Sequence, residues 1–237
     1  MKPYILGHRG APKLAIENSL TAFKKAVDIG VDGVELDIHM TFDNEIVVIH
    51  DETIESITNG QGYIKEMKFS ELRKYNLVSN FFDKAKIPTL KEVLLELKKC
   101  EIINIEIKNS VIKYPGIEKK AIELVKSLKL EENVIFSSFN HYSIKRIQEI
   151  APQIKTGILY DSNIFEPWNY AKKLTTKNIH PHFFTINKKI VDQSHKNGLK
   201  VFVYGANTKK EIKTSLNIGV DAIITDFPKK TMKLRDR

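Results

Sequence analysis

The chain has 237 residues and a mass of 27.2 kDa, with 42% hydrophobic and 28% charged residues, which fits one globular domain with a sizeable core and excludes a disordered chain. Lys and Arg total 38 against 29 Asp and Glu, giving a net charge of +9 and a pI of about 9.3, so an anionic partner is expected without the charge saying which. Cys100 is the only cysteine, which excludes an intrachain disulfide framework and a cysteine-based zinc or redox pair.

The opening MKPYILGHRG reaches His8 and Arg9 after a few apolar residues, too few for a signal-peptide core, so a cytoplasmic location is expected. PYILGH at 3–8 begins a series of β-rich runs that continues with GVELDI at 33–38, IINIEI at 102–107 and NVIFSS at 133–138. KTGILY at 155–160, HFFTIN at 182–187, KVFVYG at 200–205 and DAIITD at 221–226 complete it. Most are nearly continuous apolar runs, the signature of strands buried on both faces of a parallel sheet. Helical patterns lie between them, among them 20–29, 89–99, 117–128, 142–150 and 209–218. Eight strand-helix units in this length suit a distorted (β/α)8 TIM barrel of ~250 residues, with a doubly wound open sheet as the alternative. No linker or low-complexity block divides the chain, so residues 1–237 are expected to form a single domain. No apolar run approaches the ~20 residues of a membrane span, so no stable membrane insertion is expected. Ile29-Gly30-Val31-Asp32 is echoed by Ile218-Gly219-Val220-Asp221, each glycine suited to ending a helix in the left-handed conformation.

Two segments break the alternation. From Glu35 to Asp51, two strand-like runs flank Asp43-Asn44, where a two-residue hairpin turn would place Asp37 opposite His50. Residues 51 to about 88 form a long connection after the second strand and its hairpin, of the kind that is usually an insertion or functional.

In such a barrel the active site lies where the strands end. His8-Arg9-Gly10 follows the first strand, Glu35 and Asp37 share one face of the second, His50-Asp51 ends the hairpin, and Glu106 and Lys108 close the third barrel strand. Glu35, Asp37 and Glu106 suit a hard divalent cation such as Mg²⁺ or Ca²⁺, whereas zinc would want a His/Cys set. Arg9 can hold a phosphate through paired hydrogen bonds and Lys108 adds a point charge. His8 and His50 can serve as acid and base, since imidazole titrates near neutral pH. His39 shares the face of Glu35 and Asp37, while His141, His180, His182 and His195 have weaker claims.

Taken together, HRGAPKLAIENSLTAF, GVDGVELDIHMTFDNEIVVIHDETI, NIEIK and GVDAIITDFP resemble the glycerophosphodiester phosphodiesterase family over essentially the whole chain. His8-Arg9-Gly10 with Glu17-Asn18-Ser19 matches its HRG and PENS-type elements, with Ile16 at the usual proline. Glu35, Asp37, Thr41, Asp43, Val47, Val48, His50 and Asp51 match its second motif, with Asn44 at the usual glycine. The resemblance implies a distorted barrel that hydrolyses glycerophosphodiesters to sn-glycerol 3-phosphate and an alcohol with a bound divalent cation. It implies that His8 and His50 are the acid/base pair, that Arg9 and Lys108 hold phosphate, and that Glu35, Asp37 and Glu106 are metal ligands. Residues 51 to about 88 resemble the family's insertion over the site, with Asn59-Gly60-Gln61-Gly62 resembling its T-x-G-x-G element and no arginine in 54–58. Tyr204 stands at a position usually held by tryptophan, and Ser138 ends an S-S-F strand; both are expected to line the pocket.

Other readings are a lysophospholipase D-type phosphodiesterase of the same superfamily, a catalytically silent barrel, and a basic nucleic-acid-binding module. The lysine pairs, such as Lys24-Lys25, Lys119-Lys120 and Lys209-Lys210, are scattered over predicted helices, not gathered in a stripe with interleaved aromatics, so nucleic acid is not an expected partner.

Overall fold

Apolar runs that can be buried on both faces alternate with helices that carry one apolar face, and the two together close into a barrel. The computed structural model describes residues 2–79 and 84–237. In chain order the elements are β1 (Tyr4–His8), α1 (Leu20–Asp28), β2 (Gly33–Met40), β3 (Ile46–Val48), α2 (Phe69–Leu72), α3 (Leu90–Glu96) and β4 (Ile102–Ile107). Then follow α4 (Ile117–Ser127), β5 (Val134–Ser138), α5 (His141–Ile150), β6 (Lys155–Tyr160), α6 (Pro167–Lys173) and β7 (Asn178–Pro181). The last are α7 (Lys188–Lys196), β8 (Lys200–Tyr204), α8 (Lys209–Ile218), β9 (Ala222–Thr225) and α9 (Pro228–Arg235). Strands β1, β2 and β4 to β9 are parallel, and β1 pairs with both β9 and β2, which closes an eight-stranded (β/α)8 ring. No described helix is long and apolar enough to cross a membrane.

Leu6, Ile102, Ile135, Phe202, Ala222 and Ile224 fill the ring's interior, and two larger apolar clusters join its outer face to the helices. Helix starts are set by local chemistry: Ser19 caps α1, and Thr89 and Thr208 form reciprocal capping boxes with Glu92 and Glu211. The two Gly-Val-Asp sequences have equivalent structures. Gly30 and Gly219 take φ of +77° and +81°, and the carboxylates of Asp32 and Asp221 accept the N–H groups of Ile5 and Val201 at 2.7 and 2.8 Å. Each aspartate thereby ties the loop entering its own strand to the start of a neighbouring strand.

Two local expectations are corrected. The hairpin turn has three residues, 42–44: the Thr41 N–H donates to the Glu45 carbonyl at 2.9 Å, and Asn44 takes a left-handed φ of +63°. The register is therefore Ile38 with Val48 and His39 with Val47, so Asp37 lies opposite Ile49, whose N–H donates to its carbonyl at 3.1 Å. His50 reaches the barrel mouth from the loop after β3, not as a cross-strand partner. The strand expected at 182–187 is instead β7 at Asn178–Pro181, and Phe183–Thr185 forms a 3₁₀ turn. Its apolar Phe183-Phe184 resembles a strand, yet Phe184 is 77% exposed, while the polar Asn178 and His180 are buried.

Between β3 and α3, the described part of 51–88 holds a 3₁₀ turn at Ile64–Glu66 and helix α2. Ile54, Ile64, Leu72, Leu77 and Ile87 gather with Val47 and Ile49 of the hairpin into a small apolar cluster. Residues 80–83 of that expected insertion lie outside the described residues.

Candidate active site

The loop after β1 is shaped by its glycines. A Cβ on Gly7 would fall 2.1 Å from the Gly10 carbonyl oxygen, so the chain folds back on itself only because Gly7 has no side chain. Arg9, at φ +53°, donates its N–H to Glu35 Oε2 at 3.1 Å. Glu17 and Asn18 then return to the same place. Arg9 Nη1 donates to Glu17 Oε1 at 2.6 Å, the Asn18 N–H donates to the Arg9 carbonyl at 3.0 Å, and Asn18 Nδ2 donates to Asp37 Oδ2 at 2.9 Å.

Period two along β2 and β4 turns Glu35, Asp37 and Glu106 into the mouth, with Asp37 in register with Glu106. One carboxylate oxygen from each lies within 4.8 Å of the others. Burial, and then the charge of Asp37, push Glu35 up to about 8 and Glu106 up to about 7. Burial also opposes ionisation of Asp37, but the adjacent Arg9 and Lys108 outweigh it and hold Asp37 below its ordinary value. Arg9 Nε lies 3.3 Å from Asp37 Oδ2, and Lys108 Nζ lies 3.1 Å from Glu106 Oε1 and 4.0 Å from Asp37 Oδ1. Even so, Glu35 Oε1 and Asp37 Oδ1 are buried without a hydrogen-bond partner among the described residues. Three carboxylates against two cations, with unspent buried oxygens, fit a hard divalent ion.

Two histidines flank these acids in matching arrangements. His8 Nδ1 lies 2.6 Å from Asp226 Oδ1, with Nε2 3.8 Å from Glu35 Oε2. His50 Nδ1 lies 2.6 Å from Asp51 Oδ1, and its Nε2 accepts from Lys108 Nζ at 3.1 Å. A carboxylate at Nδ1 fixes the tautomer with Nδ1–H as donor and leaves Nε2 to the site. Each aspartate is itself held: Asp226 Oδ2 accepts from Asn207 Nδ2 at 2.8 Å, and Asp51 accepts from the Ser56 hydroxyl. Burial works against the charged form of His8, yet the Asp226 hydrogen bond and the Glu35 charge raise it above its ordinary value.

The sequence alone assigns no role in the site to Asp226, Asn207, Asp51, Glu17 or Asn18, although Asp51, Glu17 and Asn18 fall within the family motifs. Position at a strand end was an available signal for Asp226, which closes DAIITD, and adjacency to His50 was one for Asp51.

The remaining candidates sit around this centre. His39 Nε2 donates to the His50 carbonyl and its Nδ1 accepts from the Tyr114 hydroxyl, both at 2.9 Å, so it braces His50 from behind the mouth. Ser138 is fully buried, with its hydroxyl donating to the Ile107 carbonyl at 2.8 Å and accepting the Asn140 N–H. Tyr204 is half-buried and meets Phe139 and His182 edge-on, at ring separations of 6.1 and 5.0 Å. His141 is bonded to Tyr170 and the Leu159 carbonyl, and His195 to Asp221. His180 is buried in the barrel and stacked on Phe202 at 5.1 Å.

A family model for glycerophosphoryl diester phosphodiesterases matches residues 8–230. A glycerophosphodiester phosphodiesterase of Caldanaerobacter subterraneus subsp. tengcongensis is 41% identical over 238 residues, covering 99% of this chain and 98% of that protein. One from Bacillus altitudinis is 35% identical and covers 98% of each chain. Among solved structures, an Oleispira antarctica phosphodiesterase in complex with the product sn-glycerol-3-phosphate is similar at a TM-score of 0.89 and 25% identity, over 99% of this chain and 97% of that one.

Proposed function

The chain belongs to the glycerophosphoryl diester phosphodiesterase family, and from that premise we propose that it hydrolyses glycerophosphodiesters to sn-glycerol 3-phosphate and an alcohol, with a divalent cation bound. The observation that carries this reading is the pair of Asp-His units, Asp226-His8 and Asp51-His50, set around three clustered carboxylates with Arg9 and Lys108 beside them.

His50 offers its Nε2 lone pair, which accepts from Lys108 in this structure, and takes the proton of the attacking oxygen as it bonds to phosphorus, that of water directly or that of the glycerol 2-hydroxyl with water then opening the cyclic phosphate. His8 donates the Nε2 proton to the departing alcohol oxygen. Asp226 and Asp51 hold the rings in the tautomer that permits both transfers and stabilise the imidazolium form of each. Arg9 and Lys108 orient the phosphate and offset the negative charge that grows on it in the transition state. Glu35, Asp37 and Glu106 would hold Mg²⁺ or Ca²⁺, and the ion would neutralise charge on phosphate oxygens. The described part of 51–88 acts as an insertion of the one barrel domain: Asp51 and Ser56 belong to it and steady His50, and it helps select the glycerol moiety. Tyr204 forms an aromatic wall for the glycerol carbons.

The test is product analysis with purified protein and Mg²⁺ or Ca²⁺. Glycerophosphocholine and glycerophosphoethanolamine are expected to release glycerol 3-phosphate. Release of choline from lysophosphatidylcholine alone would assign the chain to lysophospholipase D chemistry, and no release from any of the three would overturn the reading.

A further inference from the structure

A second concave site lies on the flank of the barrel, beyond the loop that carries Asp226. It is a cleft of about 490 Å³ bordered by the loop after β1, the end of α1 and helix α9, within the size range of small-molecule sites. Leu14, Ile29, Pro228 and Leu234 supply apolar walls. Lys13, Lys209, Lys229, Lys230, Lys233 and Arg237 surround them, and among the described residues no carboxylate lies within ion-pair distance of any of the six. Among the described residues, Asp226 is the one acidic side chain lining the cleft, and its oxygens are committed to His8 and Asn207.

The cations are not evenly spread. The ammonium groups of Lys13 and Lys230 each lie 5.2 Å from the centre of the Phe227 ring, so two positive charges are held against one aromatic side chain at the end of the cleft where α9 begins. Lys230 also donates to the Asn207 carbonyl at 3.3 Å. From there the cleft follows α9, whose eight residues span about 12 Å, enough for an extended chain of roughly ten carbons. Charge of one sign converging on an apolar trough selects a ligand that carries the opposite charge at one end and hydrocarbon along the rest. Nucleic acid is a poor match, because Phe227, the one aromatic ring lining the cleft among the described residues, is already covered by lysine.

We infer that this cleft binds a single-chain anionic amphiphile taken up from water as a monomer, with its head group on Lys13 and Lys230 and its alkyl chain along Leu14, Ile29 and Leu234. The assignment is independent of the hydrolytic reading above, since none of these side chains takes part in it.

Isothermal titration of the full chain with decyl phosphate, below its micelle concentration, tests the proposal. Inorganic phosphate and decyltrimethylammonium serve as arms that lack the chain or the negative charge. Saturable binding of decyl phosphate at least tenfold tighter than either is expected. It should survive Lys108→Met, which alters the phosphate subsite of the barrel mouth, and weaken tenfold or more in the Lys13→Glu/Lys230→Glu variant. Lys230→Gln, a milder change, should weaken it in the same direction should the double variant fail to fold. Loss in Lys108→Met with retention in the lysine variants would move the ligand to the mouth and overturn the proposal. So would equal affinity for inorganic phosphate, binding only above the micelle concentration, or no saturable binding.

Discussion

His8 Nδ1 and Asp226 Oδ1 are 2.6 Å apart although 218 positions separate the residues in sequence. The contact exists because β1 and β9 are hydrogen-bonded neighbours where the ring closes. Asn207, from the loop after β8, donates to the other oxygen of Asp226 and accepts the Asp226 N–H at 2.9 Å. The orientation of the first histidine therefore depends on the last quarter of the chain.

Replacing Asp226 by Asn keeps the side chain's shape and removes its charge. We expect kcat for glycerophosphocholine to fall on the order of a hundredfold, with a small change in KM. Burial lowers His8 and the aspartate raises it, so the variant's His8 loses its proton at lower pH. A general acid must be protonated, so the basic limb of the kcat profile should move to lower pH. A profile and kcat like those of the wild type would contradict the assignment.

Glu35 and Glu106, pushed up to about 8 and about 7 by burial and by Asp37, hold protons near neutrality that the unfolded chain, at an ordinary value of 4.5, has already released. The metal-free fold binds more protons than the unfolded chain across that window, so its stability falls as pH rises through it. A cation requires deprotonated ligands, so its affinity rises over the same range. Saturating Mg²⁺ or Ca²⁺ should therefore raise Tm more at pH 8.5 than at pH 5.5, and Glu106→Gln should remove most of the increment. Equal increments at both pH values would sink this account of the acids.

Tyr204 meets its neighbours through its ring, while its hydroxyl has, among the described residues, only a 3.4 Å contact with the Tyr160 carbonyl. Steady-state kinetics should show Tyr204→Phe close to wild type and Tyr204→Ala with KM raised about tenfold, the loss of roughly one apolar wall. A large defect in the phenylalanine variant would mean that the hydroxyl, not the ring, contributes.

Gly157 makes room for a buried imidazole. A Cβ there would fall 2.3 Å from His180 Nε2, and His180 is stacked on Phe202 inside the barrel. Gly157→Ala should cost about 1–3 kcal/mol through overpacking, read as a lowered Tm, and adding His180→Ala should return part of it. No change in Tm for the single variant would show that the ring moves aside freely.

The barrel and the acid cluster were legible because both depend on short-range periodicity. Continuous apolar runs mark the strands, and a period of two puts Glu35 with Asp37 on one face. What was hidden depended on distance or on local turn geometry. The pairing of Asp226 with His8, and of Asn207 with Asp226, exists only when the ring closes. The hairpin register turned on Asn44 adopting a left-handed conformation in a three-residue loop, a choice that shifts the pairing by one residue. Strand β7 is hard to read from sequence because its residues Asn178 and His180 are polar, whereas the neighbouring apolar Phe183-Phe184 is not a strand at all. The second site, on α9, has no motif, since its lysines come from the loop after β1 and from α8 and α9.

Whether the chain is a phosphodiester hydrolase that needs a divalent ion on Glu35, Asp37 and Glu106 is decided by glycerol 3-phosphate release from glycerophosphocholine by protein dialysed against EDTA, before and after adding Mg²⁺ or Ca²⁺, with Glu35→Gln in parallel. We expect loss of activity on dialysis, recovery with added ion in the wild type, and no recovery in the variant. Full activity in EDTA, or in Glu35→Gln, would contradict that requirement.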